Sequence, residues 1–218
     1  MEMMPFNAAA ASREPLVAFP RMLHQDSTDW QSMVPMLVNG TVRLRELRTS
    51  DAPSLLSMLS TEEVSRFISP PPTTIEGYEQ FIRWSHRQRA AGHYVCFGIV
   101  PAGGNAAVGI MQIQMLPGEP AEWGFAMGSP YWGTGLFVEG AEAVLNFAFE
   151  GIGLDQLGAR AAIDNGRGNG ALRKVGAVCE GVIANGLVLN GRALDQHYWT
   201  ISADDRPRRK IVWDLRTH

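Results

Sequence analysis

The chain is poor in cysteine and lysine and contains no long hydrophobic run. Its two cysteines, Cys96 and Cys179, are far apart and belong to no CxxC pair, which disfavours a zinc site or a disulfide framework and favours reduced thiols. No stretch reaches the roughly 18 apolar residues of a membrane-spanning helix, and the first residues lack the apolar block of a secretory signal. These absences predict a cytoplasmic protein with no bound metal and no membrane partner.

The charge of the chain gives no general reason for it to bind nucleic acid. The 218 residues include 19 Lys and Arg against 22 Asp and Glu, for a formal net charge of -3. Domains that bind nucleic acid usually carry a clear basic excess. Lysine occurs only at Lys174 and Lys210, and we attribute the preference for arginine to genome composition. We therefore expect no nucleic-acid partner.

Composition divides the chain into three segments. Residues 1–37 form a leader that is rich in Ala, Met, Pro and Ser and has no sustained periodicity, so we expect it to be disordered or packed on the surface. Residues 38–203 have the length and pattern of one α/β domain. Residues 204–218 form a basic C-terminal tail.

The hydrophobic pattern of the central segment predicts the order β-α-α-β-β-β-α-β-α-β-β. The early strands should form an antiparallel meander, and a strand-helix-strand unit with parallel strands should follow it. Glycine and asparagine predict a loop at residues 165–170, before a short helix at residues 171–175. The other segments of the second half are expected as a strand at 121–127, a helix at 137–151 and strands at 157–163, 177–184 and 193–202.

A glycine-rich turn precedes the helix of the strand-helix-strand unit. The strand ending at Met127 leads into Pro130-Tyr131-Trp132-Gly133-Thr134-Gly135. Free amides at a helix N-terminus attract anions, and glycine lets a phosphate approach the backbone closely. The turn therefore suits a pyrophosphate, although a short GxG before a helix is often only a tight turn. The second glycine-rich stretch, residues 166–170, lacks the GK[ST] ending of a P-loop.

Three blocks resemble the GNAT superfamily of N-acetyltransferases, and the similarity is greater to its ribosomal-protein alanine/serine N-terminal branch. The first block runs from Ala121 through the glycine-rich turn to Ala141. The second contains Asn165, Lys174 and Gly176 followed by Glu180-Gly181, and the third contains Asn190-Gly191-Arg192 with Asp195 and Trp199. The resemblance covers residues 37–203.

This resemblance implies a GNAT fold of the α/β (α+β) class. The mixed central sheet would have about seven strands, helices on both faces and a splayed parallel pair of strands at the CoA site. Acetyl-CoA would be the cosubstrate, with its pantetheine arm bonded to the backbone of Phe125 and Met127. Its pyrophosphate would lie on the amides of Trp132, Gly133, Thr134, Gly135, Leu136 and Phe137. Asn165 would contact the cosubstrate near the second splayed strand.

Four positions depart from the pattern of the superfamily or its branch, and one of them, Ala177 in place of an aromatic residue, is expected to change only the packing. Trp132 stands where Gln or Arg is usual, and Phe137 stands where Gly or Ala is usual. The branch's Ser three residues after Asn165 is Gly168 here, so the hydroxyl that can protonate the leaving thiolate is missing. Asn169 is the candidate for a polar group that replaces it.

Glu122 and Tyr198 are the candidate catalytic residues. Glu122 lies on the strand beside the expected thioester, where partial burial next to Trp123 would raise its pKa and suit a general base. The alternative is that Glu122 faces solvent. Tyr198 could protonate the thiolate or contact the substrate, and its alternative is a core aromatic residue.

Two other functions compete with an active N-acetyltransferase that uses a CoA thioester and an amine acceptor. One is a catalytically degenerate acyl-CoA-binding regulatory module, which Gly168 favours. The other is an unrelated nucleotide-binding α/β protein, which the position of the turn after an antiparallel meander disfavours. The acceptor is a protein N-terminus or a small amine, and the protein is expected to be a monomer or a homodimer.

Overall fold

Eight strands form one mixed sheet in the computed structural model, which describes residues 29–189 and 191–205. The strands are β1 (Leu37–Asn39), β2 (Val42–Glu46), β3 (Tyr94–Pro101), β4 (Gly109–Gln114), β5 (Ala121–Met127), β6 (Gln156–Ala162), β7 (Val178–Leu189) and β8 (Arg192–Ser202). Their spatial order is β1-β2-β3-β4-β5-β6-β8-β7. The first five strands are antiparallel neighbours and β6 is parallel to β5, which confirms the predicted meander and parallel pair.

About seven strands were expected, and the additional strand is β1. It was not predicted because its three residues are too few to show a hydrophobic period. It pairs antiparallel with β2 at the edge of the sheet. At the other edge, β7 extends to Leu189, further than the predicted end near residue 184. The C-terminal hairpin is therefore longer than the sequence indicated.

Helices cover both faces of the sheet. They are α1 (Ala52–Leu59), α2 (Glu62–Ser65), α3 (Ile75–Ala90), α4 (Leu136–Asn146), which continues into a π-helical segment at Phe147–Ile152, and α5 (Gly166–Lys174). Side chains alternate along β3, so that Tyr94 and Cys96 pack in the cluster with α1 and α3 while Val95 and Phe97 pack in the cluster with α4. Because β3 is covered on both sides, its residues from Tyr94 to Val100 are all buried.

The glycine-rich stretch after β6 is helical, so the predicted loop at residues 165–170 is wrong. Helix α5 begins at Gly166, since the side chain of Asn165 accepts a hydrogen bond from the Gly168 amide at 2.8 Å and caps the helix. The buried side chain of Asn169 then ties the helix to the end of β6 by donating to the carbonyl of Ala162 at 2.9 Å. These contacts compensate for the low helix propensity of glycine.

The end of the predicted leader contributes to the core. Trp30 and Val34 are buried in the cluster that contains α4. Residues 1–28 of the leader lie outside the described residues, as do residues 206–218 of the basic tail. Within the described ranges, no helix combines the length and the apolar character needed to span a bilayer.

Candidate functional site

The parallel strands β5 and β6 pair over two positions and then separate. Ala121 is opposite Leu157 and Glu122 is opposite Gly158, and no pairing follows toward Met127. A gap therefore opens inside the sheet at the C-terminal end of β5. This is the splayed pair that the resemblance implied.

The backbone of β5 faces this gap at alternate residues. The Gly128 amide donates to the Val108 carbonyl at 2.9 Å. Met127 is opposite Gly109 and is therefore a position between two hydrogen-bonded positions of the ladder that joins β5 to β4. The amide and carbonyl of Met127 therefore point away from β4, and alternation places those of Phe125 on the same side. The indole N–H of Trp132 donates to the Met127 carbonyl at 2.8 Å. The Met127 amide and both polar groups of Phe125 are directed into the gap.

The turn after β5 presents open backbone at the mouth of this gap. Gly133 and Gly135 have φ of 77° and 93°, and a Cβ added at either would meet nothing within 4 Å. Gly135 precedes the first residue of α4, whose first amides have no partner within the helix. The Thr134 hydroxyl donates to the Tyr131 carbonyl at 2.8 Å and closes the turn locally. The geometry leaves the helix N-terminus accessible to an anion.

Phe137 points toward β5 and away from these amides. Its ring centroid lies 4.6 Å from that of Phe125 and 6.2 Å from that of Trp123. The large side chain at this position is therefore accommodated between α4 and the sheet. Leu136, just before it, is buried in the same cluster.

The opposite face of the sheet carries a polar cluster where β5 and β6 begin to separate. Glu122 is 7% exposed, and its Oε1 lies 3.7 Å from Nε of Arg160 on β6. That Nε is buried and has no hydrogen-bond partner among the described residues. Tyr198 on β8 pairs in register with Arg160. The structure thus brings the two predicted catalytic residues, Glu122 and Tyr198, to the same small region.

The absence of a side chain at Gly158 allows Tyr198 to reach this region. A Cβ built on Gly158 would lie 2.8 Å from the Tyr198 hydroxyl, so the tyrosine ring extends over the position opposite Glu122. Burial raises the pKa of Tyr198, and the negative charges of Glu122 and two other glutamates add to this effect while Arg160 opposes it. At neutral pH the phenol is therefore protonated and able to donate.

Asn165 and Asn169 have their side-chain oxygens engaged within the fold. Asn165 caps α5, and the Asn169 oxygen accepts from Nε1 of Trp199 at 3.0 Å and lies 3.1 Å from Nδ1 of His197. A Cβ at Gly168 would lie 2.5 Å from Nδ2 of Asn165. The capping asparagine therefore occupies the space in which a serine side chain at Gly168 would begin.

Arg160 and Gln112 were not singled out from the sequence. Arg160 is the only charged residue of β6, and this was the signal that could have drawn attention to it. Gln112 is 4% exposed, accepts a hydrogen bond from the Tyr94 hydroxyl and lies over Gly124 of β5. Their position beside the point where β5 and β6 begin to separate follows only from the order of the strands in the sheet.

No group of three or more His, Cys, Asp or Glu side chains in the described ranges is arranged to hold a metal ion. The polar groups that the described residues bring to the site are backbone amides, the Glu122 carboxylate, the Arg160 guanidinium, the Gln112 amide and the Tyr198 phenol.

Comparison with known proteins gives three kinds of match. A family model described as "Acetyltransferase (GNAT) domain" matches residues 41–178. The uncharacterized N-acetyltransferase YoaA of Bacillus subtilis is 27% identical over 176 residues, covering 78% of this chain and 97% of its own length.

Two solved structures have the same fold. Mycobacterium smegmatis RimJ in complex with CoA-disulfide superposes with a TM-score of 0.69 at 21% identity, covering 79% of this chain and 88% of that one. A Salmonella typhimurium acetyl transferase that modifies the N-terminal serine of ribosomal protein L7/L12 has a TM-score of 0.69 at 18% identity. The match covers 78% of this chain and 99% of the Salmonella chain.

Proposed function

The chain belongs to the GNAT acetyltransferase family and is an acyltransferase, and from this premise we propose that it transfers an acetyl group from acetyl-CoA to a primary amine. The observation that carries this proposal is the cluster of Glu122, Arg160 and Tyr198 at the point where β5 and β6 separate. A base and a proton donor there would flank a thioester held in the gap. The cytoplasm, which supplies acetyl-CoA, is the proposed location.

The cosubstrate would occupy the gap and its mouth. The amide of Met127 and the backbone of Phe125 would bond the amides of the pantetheine arm, as an added strand would. The turn from Trp132 to Phe137 would hold the pyrophosphate on its free amides. Asn165 and Asn169 would support the opposite side of the site by fixing α5 to β6 and β8. The complex of the RimJ neighbour with CoA-disulfide supports CoA as the group that the site accepts.

In the proposed reaction, the neutral amine attacks the thioester carbonyl directly. Glu122 takes the amine proton through a water molecule, the C–N bond forms, and the C–S bond then breaks. Tyr198 donates a proton to the departing thiolate and recovers one from solvent. Arg160 holds the Glu122 carboxylate in position by its charge. No covalent enzyme intermediate is required.

The charges around Tyr198 favour a cationic acceptor. Among the described residues, Glu119, Glu122 and Glu180 lie near enough to raise its pKa, and Arg160 is the cation that lowers it. An acceptor with a positive charge besides its reacting amine would be attracted to this region. Both a protein N-terminus with a nearby basic residue and a small polyamine fit this description, and the Salmonella neighbour is one acetyl transferase that acts on a protein N-terminus.

A degenerate acyl-CoA-binding module is the second candidate. Gly168 favours it, because the hydroxyl is missing and the side chain of Asn165 occupies the adjoining space. A binding module would retain acetyl-CoA without releasing thiol in the presence of any amine. An enzyme would release CoA in an amine-dependent manner, which a thiol-reactive dye detects.

Replacing Tyr198 by Phe is expected to lower kcat about 30-fold and leave the Kd of acetyl-CoA unchanged. The loss is moderate because a thiol with a pKa of about 8.5 is a tolerable leaving group even when it departs as thiolate. The raised pKa keeps the donor protonated, so wild-type activity should fall only as pH rises above the ordinary tyrosine range. The variant should lack that alkaline decline in a pH-rate profile.

The control for this variant is Tyr131→Phe, which changes a tyrosine of the turn after β5, away from the polar cluster. It should retain kcat within about twofold. Equal losses in the two variants, or an unchanged alkaline limb in Tyr198→Phe, would remove Tyr198 from the mechanism.

A further inference from the structure

Arg167 and Trp132 make a contact that bridges the two sides of the gap. Trp132 belongs to the turn that follows β5, and Arg167 is the second residue of α5, which follows β6. The guanidinium carbon of Arg167 lies 4.0 Å from the centroid of the Trp132 ring. This distance is typical of a close cation–π stack. The pair therefore crosses the mouth of the gap.

The tryptophan in this contact has a fixed orientation. Its indole N–H donates to the Met127 carbonyl at 2.8 Å, and its ring is packed against the core. A guanidinium stacked on a ring keeps the N–H donors around its edge free for other partners. The Trp132 ring thus holds the N–H donors of the Arg167 guanidinium at the opening of the gap.

The charge of Arg167 is not neutralised by a neighbouring side chain. Arg167 makes no ion pair and no side-chain hydrogen bond among the residues that the structure describes. The acidic residue in the first turn of α4, Glu139, is turned to the other end of the sheet, where its carboxylate accepts from the Thr41 amide at 2.7 Å. Among the described residues the guanidinium is therefore an unpaired cation, and the ring on which it stacks belongs to the same turn as the open backbone of Gly133 and Gly135.

We propose that Arg167 binds the diphosphate of CoA from the α5 side of the gap. This inference rests on the proposed function and adds to it a residue from the opposite side of the gap. The planar fork of arginine matches two phosphate oxygens, and its charge complements the anion that the amides hold. Stacking on the Trp132 ring positions the Arg167 guanidinium. Binding of the diphosphate would then connect the N-terminus of α5 to the N-terminus of α4 across the opening of the gap.

Calorimetric titrations of the full chain with CoA and with dephospho-CoA test this assignment. Both ligands carry the diphosphate, and only CoA carries the 3′-phosphate. Arg167→Gln is expected to raise the Kd of both ligands by the same factor, about tenfold at low salt. The factor should shrink at high salt because screening weakens a charge contact at an exposed site. Arg167→Lys, which keeps the charge, should lose about threefold or less.

Arg173→Gln is the matched control, because Arg173 lies on the same helix with its guanidinium carbon 5.4 Å from the Trp199 ring, another cation–π contact. It should leave both Kd values unchanged. An unchanged Kd in Arg167→Gln overturns the proposal, as does a loss confined to CoA or a loss that salt does not alter. If the folded wild-type protein binds neither ligand, the proposed function fails as well, so the two failures are distinguishable.

Discussion

Replacing Glu122 by Gln is expected to lower kcat/KM for the amine about 100-fold at pH 7 while the Kd of acetyl-CoA stays within about twofold. The amide keeps the size of the side chain and cannot accept the proton of the attacking amine, and general-base catalysis contributes on this scale. The backbone groups of β5 that face the gap are unchanged. Steady-state kinetics and calorimetry on the same preparation separate the two effects.

The pH dependence of this variant distinguishes a base from a structural residue. As pH rises, hydroxide ion increasingly takes the proton of the attacking amine in place of the missing base, so the deficit of Glu122→Gln should narrow toward alkaline pH. A structural defect would persist at every pH and would also lower the unfolding temperature. Glu119→Gln is the matched control, since Glu119 also acts on the pKa of Tyr198 but is exposed and lies before β5. An equal loss in the control would contradict the role of Glu122.

A negative charge at Gly135 is expected to weaken acetyl-CoA binding about 100-fold. Gly135 has a φ of 93° and precedes α4, where the amides proposed to hold the pyrophosphate begin. In Gly135→Asp the carboxylate would repel the phosphates at close range and would compete for the same amides as a helix cap. Asp and Asn are the residues other than glycine that best tolerate a positive φ, so the backbone strain should remain small.

Two control variants separate charge from strain in this test. Gly135→Asn has nearly the same shape without the charge and should lose less than about tenfold. Gly153→Asp places the charge at another positive-φ glycine, with φ of 80°, at the end of the helical segment remote from the turn. It should bind acetyl-CoA as the wild type does. Similar losses in all three variants would show that the turn holds no phosphate.

Much of the fold could be predicted because its signals are local. The β5 strand at Ala121–Met127 has the bounds predicted from its flanking turns, and the helical span that begins near Leu136 was anticipated from its apolar stripe. The start of α5 could not be predicted, because five residues from Gly166 to Gly170 contain three glycines and form a helix only with tertiary support. That support comes from Asn169, which is bonded to Trp199 on a distant strand.

The candidate site illustrates the same limit. Glu122 and Tyr198 could each be proposed from their place in a motif, but their proximity depends on β8 lying beside β6 and on the missing side chain at Gly158. Arg160 becomes relevant only in that arrangement. The stack of Arg167 on Trp132 likewise joins residues that follow different strands. Sequence patterns predict the elements, whereas the sheet order determines which polar groups meet.

Calorimetric titration of the folded wild-type protein with acetyl-CoA tests most directly whether the gap between β5 and β6 is a cosubstrate site. We predict saturable binding with a Kd of micromolar order, retained by Glu122→Gln and weakened about 100-fold by Gly135→Asp. A folded protein that binds neither acetyl-CoA nor CoA nor longer acyl-CoAs would contradict the proposed use of acetyl-CoA and leave only the fold established.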